Sequence, residues 1–186
     1  MASVLVVLNP GAEEIETVTV ADVLVRAGQE VVIASSAKAM RVRGSRGLPL
    51  GAHALLADLA GRTFDLVYLP GGNGSAQVCR DDARVQDPIA AQLGSERLLA
   101  IICASVTALV PRGLGAGRRV TSYPGVRPQV EPHVAAWLDQ PVVADGNLIT
   151  SQGPGTAMAL GLDLARRLAG EAVAAKVAAD MLTTLP

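Results

Sequence analysis

The 186-residue sequence has few aromatic residues and few of the residues that mark metalloproteins or disulfide-rich proteins. Phe, Trp and Tyr make up only 2% of the chain, whereas half of it is apolar, so the core has to be built from Val, Leu, Ile and Ala. That composition favours β-branched strands covered by Ala- and Leu-rich helices. The two cysteines, Cys79 and Cys103, supply neither a disulfide framework nor a zinc-ligand set. We therefore expect no metal or other cofactor, and a reducing cytoplasm as the location.

Net charge and long apolar runs are also lacking. The 16 basic and 17 acidic residues leave a formal charge of −1, which gives no support for binding to nucleic acid or to a membrane surface. No run approaches about eighteen apolar residues, so no transmembrane helix is expected. The start, MASVLVVLNPG, lacks the basic segment of a signal peptide and instead predicts a first strand. The length suits one domain, and no repeat or linker divides residues 1–186.

Short apolar runs alternate with helical patterns along most of the chain. The predicted strands are Ser3–Leu8, Glu30–Ser35, Leu66–Leu69, the run that begins at Leu98, and a short strand near Val120. The predicted helices are Glu13–Ala27, Asp87–Leu93, Thr156–Leu168 and Glu171–Leu182, and the first of them has Ile15, Val18, Val23 and Leu24 as inward candidates. An irregular ribbon or hairpin is expected at Met40–Leu50 and a hairpin at Val142–Ser151. This order predicts an α/β fold with a doubly wound, mostly parallel sheet between layers of helices.

In such a sheet, ligands and substrates bind outside the carboxyl ends of the strands. Three segments of this sequence follow a predicted strand end and carry polar or reactive residues: 9–16, 70–76 and 103–105. If the fold prediction is right, these segments converge in space.

Cys103 ends the apolar run LLAIIC, and a helical pattern begins after Ala104. A turn of this kind directs the first helical N–H groups at the thiol, which lowers its pKa below the ordinary value of about 8.5. The residue therefore has three interpretations, namely a catalytic nucleophile, a redox sensor, or a small residue that fills a tight turn. Cys79 lacks such a setting and is expected to be a packed or partly exposed thiol.

Three carboxylates in the stretch GAEEIETV open the first predicted helix. Negative charge at a helix start complements the helix dipole, which accounts for Glu13 and Glu14. Glu16 could point inward or sideways. Enclosed beside a thiol, its carboxyl would have a raised pKa, stay protonated near neutral pH and donate a hydrogen bond to a thiolate.

The turn PGGNG at residues 70–74 lacks both the P-loop lysine and the GxGxxG spacing, so a nucleotide site is disfavoured. Glycine permits close backbone approach, and the N–H groups of Gly71 and Gly72 are candidates for an oxyanion hole. The alternative is an ordinary tight turn. His53 and His133 are expected at the surface, which leaves Cys103 without an evident histidine base.

Several stretches, in the same order along the chain, resemble the ThiJ/PfpI superfamily, in the branch of DJ one and bacterial YajL. They span nearly the whole sequence and comprise GAEEIETV (Gly11–Val18), VRAG (Val25–Gly28), SRG (Ser45–Gly47), LPGGNGSAQ (Leu69–Gln77), AIICASVTALV (Ala100–Val110) and ITSQGPGTAMALGL (Ile149–Leu162). The resemblance implies a flavodoxin-like fold and a homodimer. It also implies that Cys103 is a reactive, oxidisable thiol held in strained backbone geometry, with Glu16 as its protonated partner.

Further residues receive roles only through this resemblance. Gly72 and Ala104 match positions whose backbone N–H groups line an anion site. Arg26 and Arg46 match arginines near the dimer interface and the site entrance, and their alternative role is surface or interface pairing. Tyr123 lies where the human-type member has a histidine, so it either donates a phenolic hydrogen bond or forms a wall of the pocket.

The resemblance implies a cofactor-free glyoxalase or deglycase that acts on small dicarbonyls such as methylglyoxal, or on their adducts. Cys103 would add to the aldehyde and Glu16 would move the protons. The alternative is an oxidative-stress sensor or redox-regulated chaperone, in which Cys103 becomes a sulfinate that Glu16 stabilises.

Overall fold

The computed structural model describes residues 1–185 and places seven strands in one central sheet. In chain order the eleven strands of residues 1–185 are β1 (Ser3–Leu8), β2 (Glu30–Ser35), β3 (Arg41–Arg43), β4 (Pro49–Gly51), β5 (Ala54–Leu55), β6 (Leu66–Leu69), β7 (Leu98–Ile102), β8 (Arg119–Val120), β9 (Ala136–Trp137), β10 (Val142–Asp145) and β11 (Leu148–Ser151). Four of these lie outside the central sheet and form two small two-stranded sheets, β3 with β4 and β8 with β9. The α-helices are α1 (Glu14–Arg26), α2 (Asn73–Asp81), α3 (Ala83–Leu93), α4 (Arg127–Val130), α5 (Ala157–Ala169) and α6 (Glu171–Asp180). Short 3-10 helices occupy Leu56–Leu59, Cys103–Leu109, Pro124–Val126, Glu131–His133 and Pro154–Thr156.

The central sheet has the strand order β10-β11-β7-β6-β1-β2-β5. All neighbouring strands run parallel except the edge strand β10, which is antiparallel to β11. β1 lies inside the sheet and is buried from its second residue onward, as expected for an apolar strand covered on both faces. The predicted doubly wound, mostly parallel sheet is therefore confirmed, and β1, β2 and β6 have the predicted bounds.

Alternate residues of the inner strands of the central sheet enter two cores, one on each face of the sheet. On one face, Val4 and Val6 belong to the core that also contains apolar residues of α1, α5 and α6. On the other face, Leu5 and Val7 pack with residues of α2, α3 and the 3-10 helix that begins at Cys103. Because side chains alternate between the two faces of the sheet, each face carries its own layer of helices. The carboxyl ends of the strands lie between these two layers.

Helix α1 differs from its prediction in the direction that its apolar residues face. Val23 and Leu24 are fully buried as predicted, but Ile15 and Val18 are 55% and 54% exposed, so the prediction that they face inward is wrong. The helix has apolar residues on more than one side, and the side bearing Val20, Val23 and Leu24 packs on α5. Ile15 and Val18 lie on the opposite, outer side.

The structure also differs from the prediction in one additional helix and in the bounds of two others. α2 was not predicted, α3 begins at Ala83 rather than Asp87, and α6 ends at Asp180. Both expected hairpins are confirmed, since β3 pairs antiparallel with β4 and β10 with β11. Within residues 1–185, no helix combines the length and the apolar character needed to cross a bilayer.

Candidate active site

The carboxyl ends of β1, β6 and β7 meet at one edge of the sheet and bring the three expected segments together. The loop after β6 contacts the helix after β1, because the Gly71 N–H donates to Oε2 of Glu16 at 2.7 Å. The same loop contacts the segment after β7, because the Ser105 hydroxyl donates to the carbonyl oxygen of Pro70 at 2.7 Å. The convergence predicted from the strand order is thereby confirmed.

Cys103 lies at a sharp bend between β7 and the following 3-10 helix. Its φ angle is +64°, and Leu182 is the only other non-glycine residue with a positive φ in the described part of the chain. A non-glycine residue in this conformation costs about 1–3 kcal/mol, which the surrounding fold must offset. The side chain is 9% exposed, so the thiol is enclosed but reachable. The strained geometry that the resemblance implied is present.

The segment after Cys103 is a seven-residue 3-10 helix rather than an α-helix. Its dipole is correspondingly short, so the anion-stabilising effect comes from individual N–H groups rather than from a long helix. The N–H groups of Ala104 and Gly72 face the sulfur and both act to lower its pKa. The structure thus brings Gly72 and Ala104 to the place where the resemblance put them.

Glu16 is completely buried beside the Cys103 thiol. Burial raises the pKa of its carboxyl to about 7, and hydrogen bonds from Cys103 and Gly71 offset only part of that rise. The neighbouring charge of Glu13 raises the pKa further. Oε2 is occupied by the Gly71 N–H, whereas Oε1 is buried without a hydrogen-bond partner among the described residues. The carboxyl therefore exchanges its proton near neutral pH and has one oxygen available.

The thiol pKa is higher than the sequence predicted. Burial, followed by the charge of ionised Glu16, raises the pKa of Cys103 to about 12, and the N–H groups of Ala104 and Gly72 only partly offset this rise. The prediction of a lowered pKa is thus wrong while Glu16 is ionised. When Glu16 is protonated, its charge disappears and its O–H can donate to the sulfur, so thiolate formation is favoured. The two groups therefore behave as a coupled pair, in which ionisation of one holds the proton on the other.

Gly71 permits this close contact because it has no side chain. A Cβ atom at this position would lie 2.5 Å from Cys103 Cβ and 2.5 Å from Glu16 Oε2. Its N–H, which the sequence suggested for an oxyanion hole, is instead taken by Glu16. Gly72 has a φ of +92° and would place a Cβ against the Gly11 carbonyl oxygen. Both glycines are required by close approach at this turn.

Two serine hydroxyls that the sequence analysis did not identify hold the same loop. Ser75 and Ser105 both donate to the buried carbonyl oxygen of Pro70, at 2.9 and 2.7 Å. Because the Pro70–Gly71 peptide is planar, fixing its carbonyl also fixes the Gly71 N–H that binds Glu16. The only signal in the sequence was the presence of small polar residues next to a glycine-rich turn and next to Cys103.

The other acidic residues at the start of α1 have structural partners. Glu13 caps the helix by accepting from the Glu16 backbone N–H at 2.9 Å. The buried Glu14 carboxylate holds the β3–β4 hairpin by accepting from the backbone N–H groups of Arg46 and Leu48 at 2.8 and 3.2 Å. The helix-dipole account of these two residues therefore omitted their main contacts.

The residues expected to support the site are not equally close to it. Arg26 is paired with Asp22 at the end of α1, at 2.8 Å. Arg46 is exposed, and in residues 1–185 its side chain forms no ion pair. Among residues 1–185, neither arginine forms a hydrogen bond or an ion pair with Cys103 or Glu16.

Tyr123 lies at the mouth of the site. A Cβ atom on Gly153 would be 3.9 Å from the Tyr123 ring and 4.0 Å from Glu16 Oε1. The backbone N–H of Tyr123 donates to the Cys103 carbonyl oxygen at 3.4 Å, and the Tyr123 side chain is half exposed. The position fits a wall of the pocket better than a hydrogen-bond donor to the sulfur.

The remaining candidates lie apart from the sulfur. Cys79 is fully buried in α2, where burial raises the pKa of its thiol to about 11 and Asn9 donates to the sulfur at 3.0 Å. His53 and His133 are exposed, as predicted. In the described residues, no group of three or more His, Cys, Asp or Glu side chains is arranged to hold a metal ion.

Comparisons with known proteins identify the family to which the chain belongs. Residues 2–167 match the DJ-1/PfpI family. The chain is 41% identical to Drosophila melanogaster protein dj-1beta over 97% of its own length and 96% of that protein. It is 34% identical to Caenorhabditis elegans glutathione-independent glyoxalase DJR-1.2 over 90% and 89% of the two chains. The crystal structure of Drosophila melanogaster DJ-1beta superposes with a TM-score of 0.95 at 40% identity, covering 99% of this chain and 100% of that one. The resemblance inferred from the sequence motifs is confirmed, and the chain belongs to the DJ-1/PfpI family.

Proposed function

We propose that this protein is a cofactor-independent glyoxalase or deglycase. As a glyoxalase it would convert small dicarbonyls such as methylglyoxal into hydroxy acids. The observation that carries the proposal is the Glu16 carboxyl beside the Cys103 thiol. Its pKa is about 7, and its Oε1 has no hydrogen-bond partner among residues 1–185. A proton carrier with a pKa near the working pH is what an aldehyde-to-acid isomerisation needs. The relationship to a C. elegans protein named as a glutathione-independent glyoxalase supports the same reaction class.

The first step joins the sulfur to the substrate. The Cys103 sulfur attacks the aldehyde carbon of methylglyoxal, and the proton shared by the pair passes through Glu16 to the new alkoxide oxygen. The product is a hemithioacetal on Cys103, with Glu16 now ionised. The N–H groups of Ala104 and Gly72 face the sulfur and are placed to stabilise negative charge as it develops next to it.

The second step moves a proton between two carbon atoms. Ionised Glu16 removes the proton from the former aldehyde carbon, which yields an enediolate, and returns it to the former ketone carbon. The hydroxyl proton on the former aldehyde oxygen passes to the former ketone oxygen, so that the first becomes the thioester carbonyl and the second the hydroxyl of the lactoyl group. The result is a lactoyl thioester on Cys103, in which one carbon has been oxidised and its neighbour reduced. Hydrolysis by one water molecule then releases lactate and restores the thiol. No external oxidant or reductant is consumed.

Kinetics with methylglyoxal test the proposal, with lactate formation as the readout. We expect Cys103→Ala to abolish turnover and Glu16→Gln to lower kcat by about 100-fold or more. Glu96→Gln, an exposed carboxyl, and Cys79→Ala, the other thiol, are the matched controls and should retain turnover. Full lactate production by Cys103→Ala or by Glu16→Gln would rule out the proposed mechanism.

A second candidate function rests on the same N–H groups. Ala104 and Gly72 face the sulfur and could bind the oxygens of a Cys103 sulfinate, as an oxidative-stress sensor or redox-regulated chaperone would require. Peroxide and aldehydes both react with the thiolate, so the raised pKa of the thiol beside ionised Glu16 slows both reactions and does not separate the two functions. Selective addition of two oxygens to Cys103 at low peroxide, without lactate production from methylglyoxal, would favour the sensor.

Both cysteines are free thiols, which is compatible with a reducing cytoplasm as the proposed location.

We also propose that the protein is a homodimer that uses the outer side of α1. Ile15, Val18 and Val25 are each more than half exposed and lie on one side of this helix at spacings of three and seven residues. A group of exposed apolar side chains on one side of an outer helix is typical of a protein–protein contact. Ile15→Glu combined with Val18→Glu should halve the mass measured by sedimentation, whereas Val173→Glu on α6 should leave it unchanged. A wild-type protein that sediments as a monomer would contradict this proposal.

A further inference from the structure

A large cleft lies at the opposite end of the sheet from Cys103. It measures about 580 Å³ and runs between α3 and the segment 56–64. Leu5 of β1 and Val67 of β6 form its floor. Phe64 and Arg97 line it just before β6 and β7, at the amino ends of the strands, whereas Cys103 lies at the carboxyl ends. The volume is in the range of sites that bind small molecules, about 300–1,000 Å³.

The interior of the cleft is apolar. Besides the floor, its walls include Leu56, Leu59 and Phe64 on one side and Pro88 and Ala91 of α3 on the other. Such a surface favours a hydrocarbon chain over a sugar or a nucleotide, because polar groups of those ligands would lose hydrogen bonds to water without replacement.

Most charged groups around the cleft already have partners. Arg62 is paired with Glu30 at 2.9 Å and stacks on the Phe64 ring. Arg84 is paired with Asp82 at 2.5 Å. The carboxylate of Asp87 is paired with Arg112 at 2.8 Å, so it does not neutralise the cleft.

Arg97 is different, since in residues 1–185 its guanidinium lies within ion-pair distance of no carboxylate. The nearby Asp65 carboxylate is engaged by the backbone N–H and hydroxyl of Ser3, at 2.7 and 2.9 Å. Within residues 1–185, Arg97 therefore brings to an apolar cleft a positive charge that no carboxylate pairs with.

The position of Arg97 is fixed by buried polar contacts. Its Nε–H donates at 2.9 Å to Oε1 of Gln92, a side chain that is 3% exposed. Gln92 is held in turn by donating to the carbonyl oxygens of Phe64 and Leu98 at 3.2 and 2.8 Å. The Asn147 amide donates to the Arg97 carbonyl oxygen at 3.0 Å. The guanidinium is thus oriented in advance, which reduces the entropy lost when an anion binds.

We propose that this cleft binds an amphipathic carboxylate, with its hydrocarbon chain on the floor of Leu5 and Val67 and its carboxylate on Arg97. The terminal nitrogens of an arginine match the two oxygens of a carboxylate, and the apolar walls bury the chain. This site is independent of the chemistry of Cys103, which lies at the other end of the strands.

Isothermal titration calorimetry with dodecanoate below its micellar concentration tests the proposal. The wild-type protein should bind one dodecanoate per chain and should not bind dodecyltrimethylammonium, which has the same chain and the opposite charge. Arg97→Gln should weaken dodecanoate binding by about tenfold or more. Arg80→Gln, which removes another half-buried arginine that does not line the cleft, is the matched control and should bind as the wild type does.

A second variant tests the cleft itself. Ala91→Phe on the exposed side of α3 places a ring in the cleft and should abolish dodecanoate binding while leaving the melting temperature near that of the wild type. Absence of dodecanoate binding to the wild type, equal binding of the cationic detergent, or unchanged affinity in Arg97→Gln would each overturn the proposal. If a second copy of the chain covers the cleft instead, Ala91→Phe will lower the sedimentation coefficient and the wild type will bind no dodecanoate.

Discussion

The hydroxyl of Ser105 donates a 2.7 Å hydrogen bond to the carbonyl oxygen of Pro70 and so joins the bend at Cys103 to the glycine-rich loop. Ser75 donates to the same oxygen at 2.9 Å. Because this carbonyl belongs to the peptide whose N–H binds Glu16, the two hydroxyls orient the carboxyl indirectly. They are positioning residues, since neither contacts the sulfur–carboxyl pair itself.

Removing the two hydroxyls should destabilise the protein in a non-additive way. Ser105→Ala or Ser75→Ala alone should each lower the free energy of unfolding by about 1 kcal/mol, since one hydroxyl still satisfies the Pro70 carbonyl. The double variant leaves that buried oxygen without a partner and should lose about 1 kcal/mol or more beyond the sum. Urea unfolding of all four proteins measures the difference. Simply additive losses would mean that the two hydroxyls do not share the carbonyl in solution.

The burial of Glu16 should make stability fall as the pH rises. Its pKa is about 7 in the folded protein against an ordinary value of 4.5, so the folded state binds the proton more tightly than the unfolded state. The resulting stabilisation is complete below pH 4.5 and is lost as the pH rises to about 7, which amounts to about 3 kcal/mol.

Glu16→Gln removes this titration and nearly preserves the shape of the side chain. The free energy of unfolding of the wild type, relative to that of the variant, should therefore fall between pH 4.5 and 7. At higher pH this relative value should stay at its lower level. Denaturant unfolding at pH 5 and pH 8 measures the change, with Glu96→Gln at the surface as the control. The same difference between wild type and Glu16→Gln at both pH values would show that Glu16 does not titrate in this interval.

In Glu16→Gln, the reactivity of the Cys103 thiol should increase, whereas the turnover of methylglyoxal should decrease. After burial, the charge of Glu16 is the largest cause of the pKa of about 12 for Cys103, so the neutral variant should have a lower thiol pKa. We expect faster alkylation by iodoacetamide than in the wild type at pH 9, and similar rates at pH 5, where Glu16 is protonated in the wild type. Turnover of methylglyoxal should nevertheless fall, because the proton carrier is lost.

Mass spectrometry provides the measurement for this prediction and an internal control. Cys79 is fully buried, so the native protein should gain one adduct, at Cys103, and a second adduct only after denaturation. If Glu16→Gln is alkylated at pH 9 no faster than the wild type, the carboxyl charge does not hold the proton on the sulfur.

The close packing around Gly71 predicts that substitution of Gly71 by alanine lowers activity far more than the same substitution at Gly155. In Gly71→Ala the new methyl group would lie 2.5 Å from both Cys103 Cβ and Glu16 Oε2, so the pair must separate. We expect turnover to fall by about 100-fold, as for reacting groups displaced by about 1 Å. Gly155→Ala is the matched control, because nothing lies within 4 Å of its Cβ position. Equal activity of the two variants would contradict the packing of the site.

The sheet could be predicted because its strands are buried on both faces and read as short apolar runs. β1, β2 and β6 stand out in this way, each bounded by polar or turn-forming residues. The place where the site lies followed from the strand order alone, since the carboxyl ends of neighbouring parallel strands share one edge. The helix α2 did not stand out, because its start is Asn73-Gly74, and glycine weakens a helical pattern.

The orientation of α1 and the pKa of Cys103 depend on tertiary structure. Apolar residues occur on both sides of α1, so periodicity could not decide whether Ile15 or Val20 faces the sheet. For Cys103, the sequence revealed the bend and the neighbouring N–H groups, which lower a thiol pKa. It did not reveal the burial or the distance to the Glu16 charge, and these two causes outweigh the N–H groups.

The Pro70–Gly71 peptide has a consequence for the time at which reactivity arises during folding. Its oxygen is held by hydroxyls from α2 and from the segment after β7, and its nitrogen by a carboxyl from α1, which itself packs on α5. A chain in which α1, α2 or the segment after β7 has not yet packed lacks at least one of these contacts, so its thiol and carboxyl are not held together. The paired thiol and carboxyl are thus a product of completed folding, and the alkylation behaviour of Cys103 reports whether a given molecule has reached its native state.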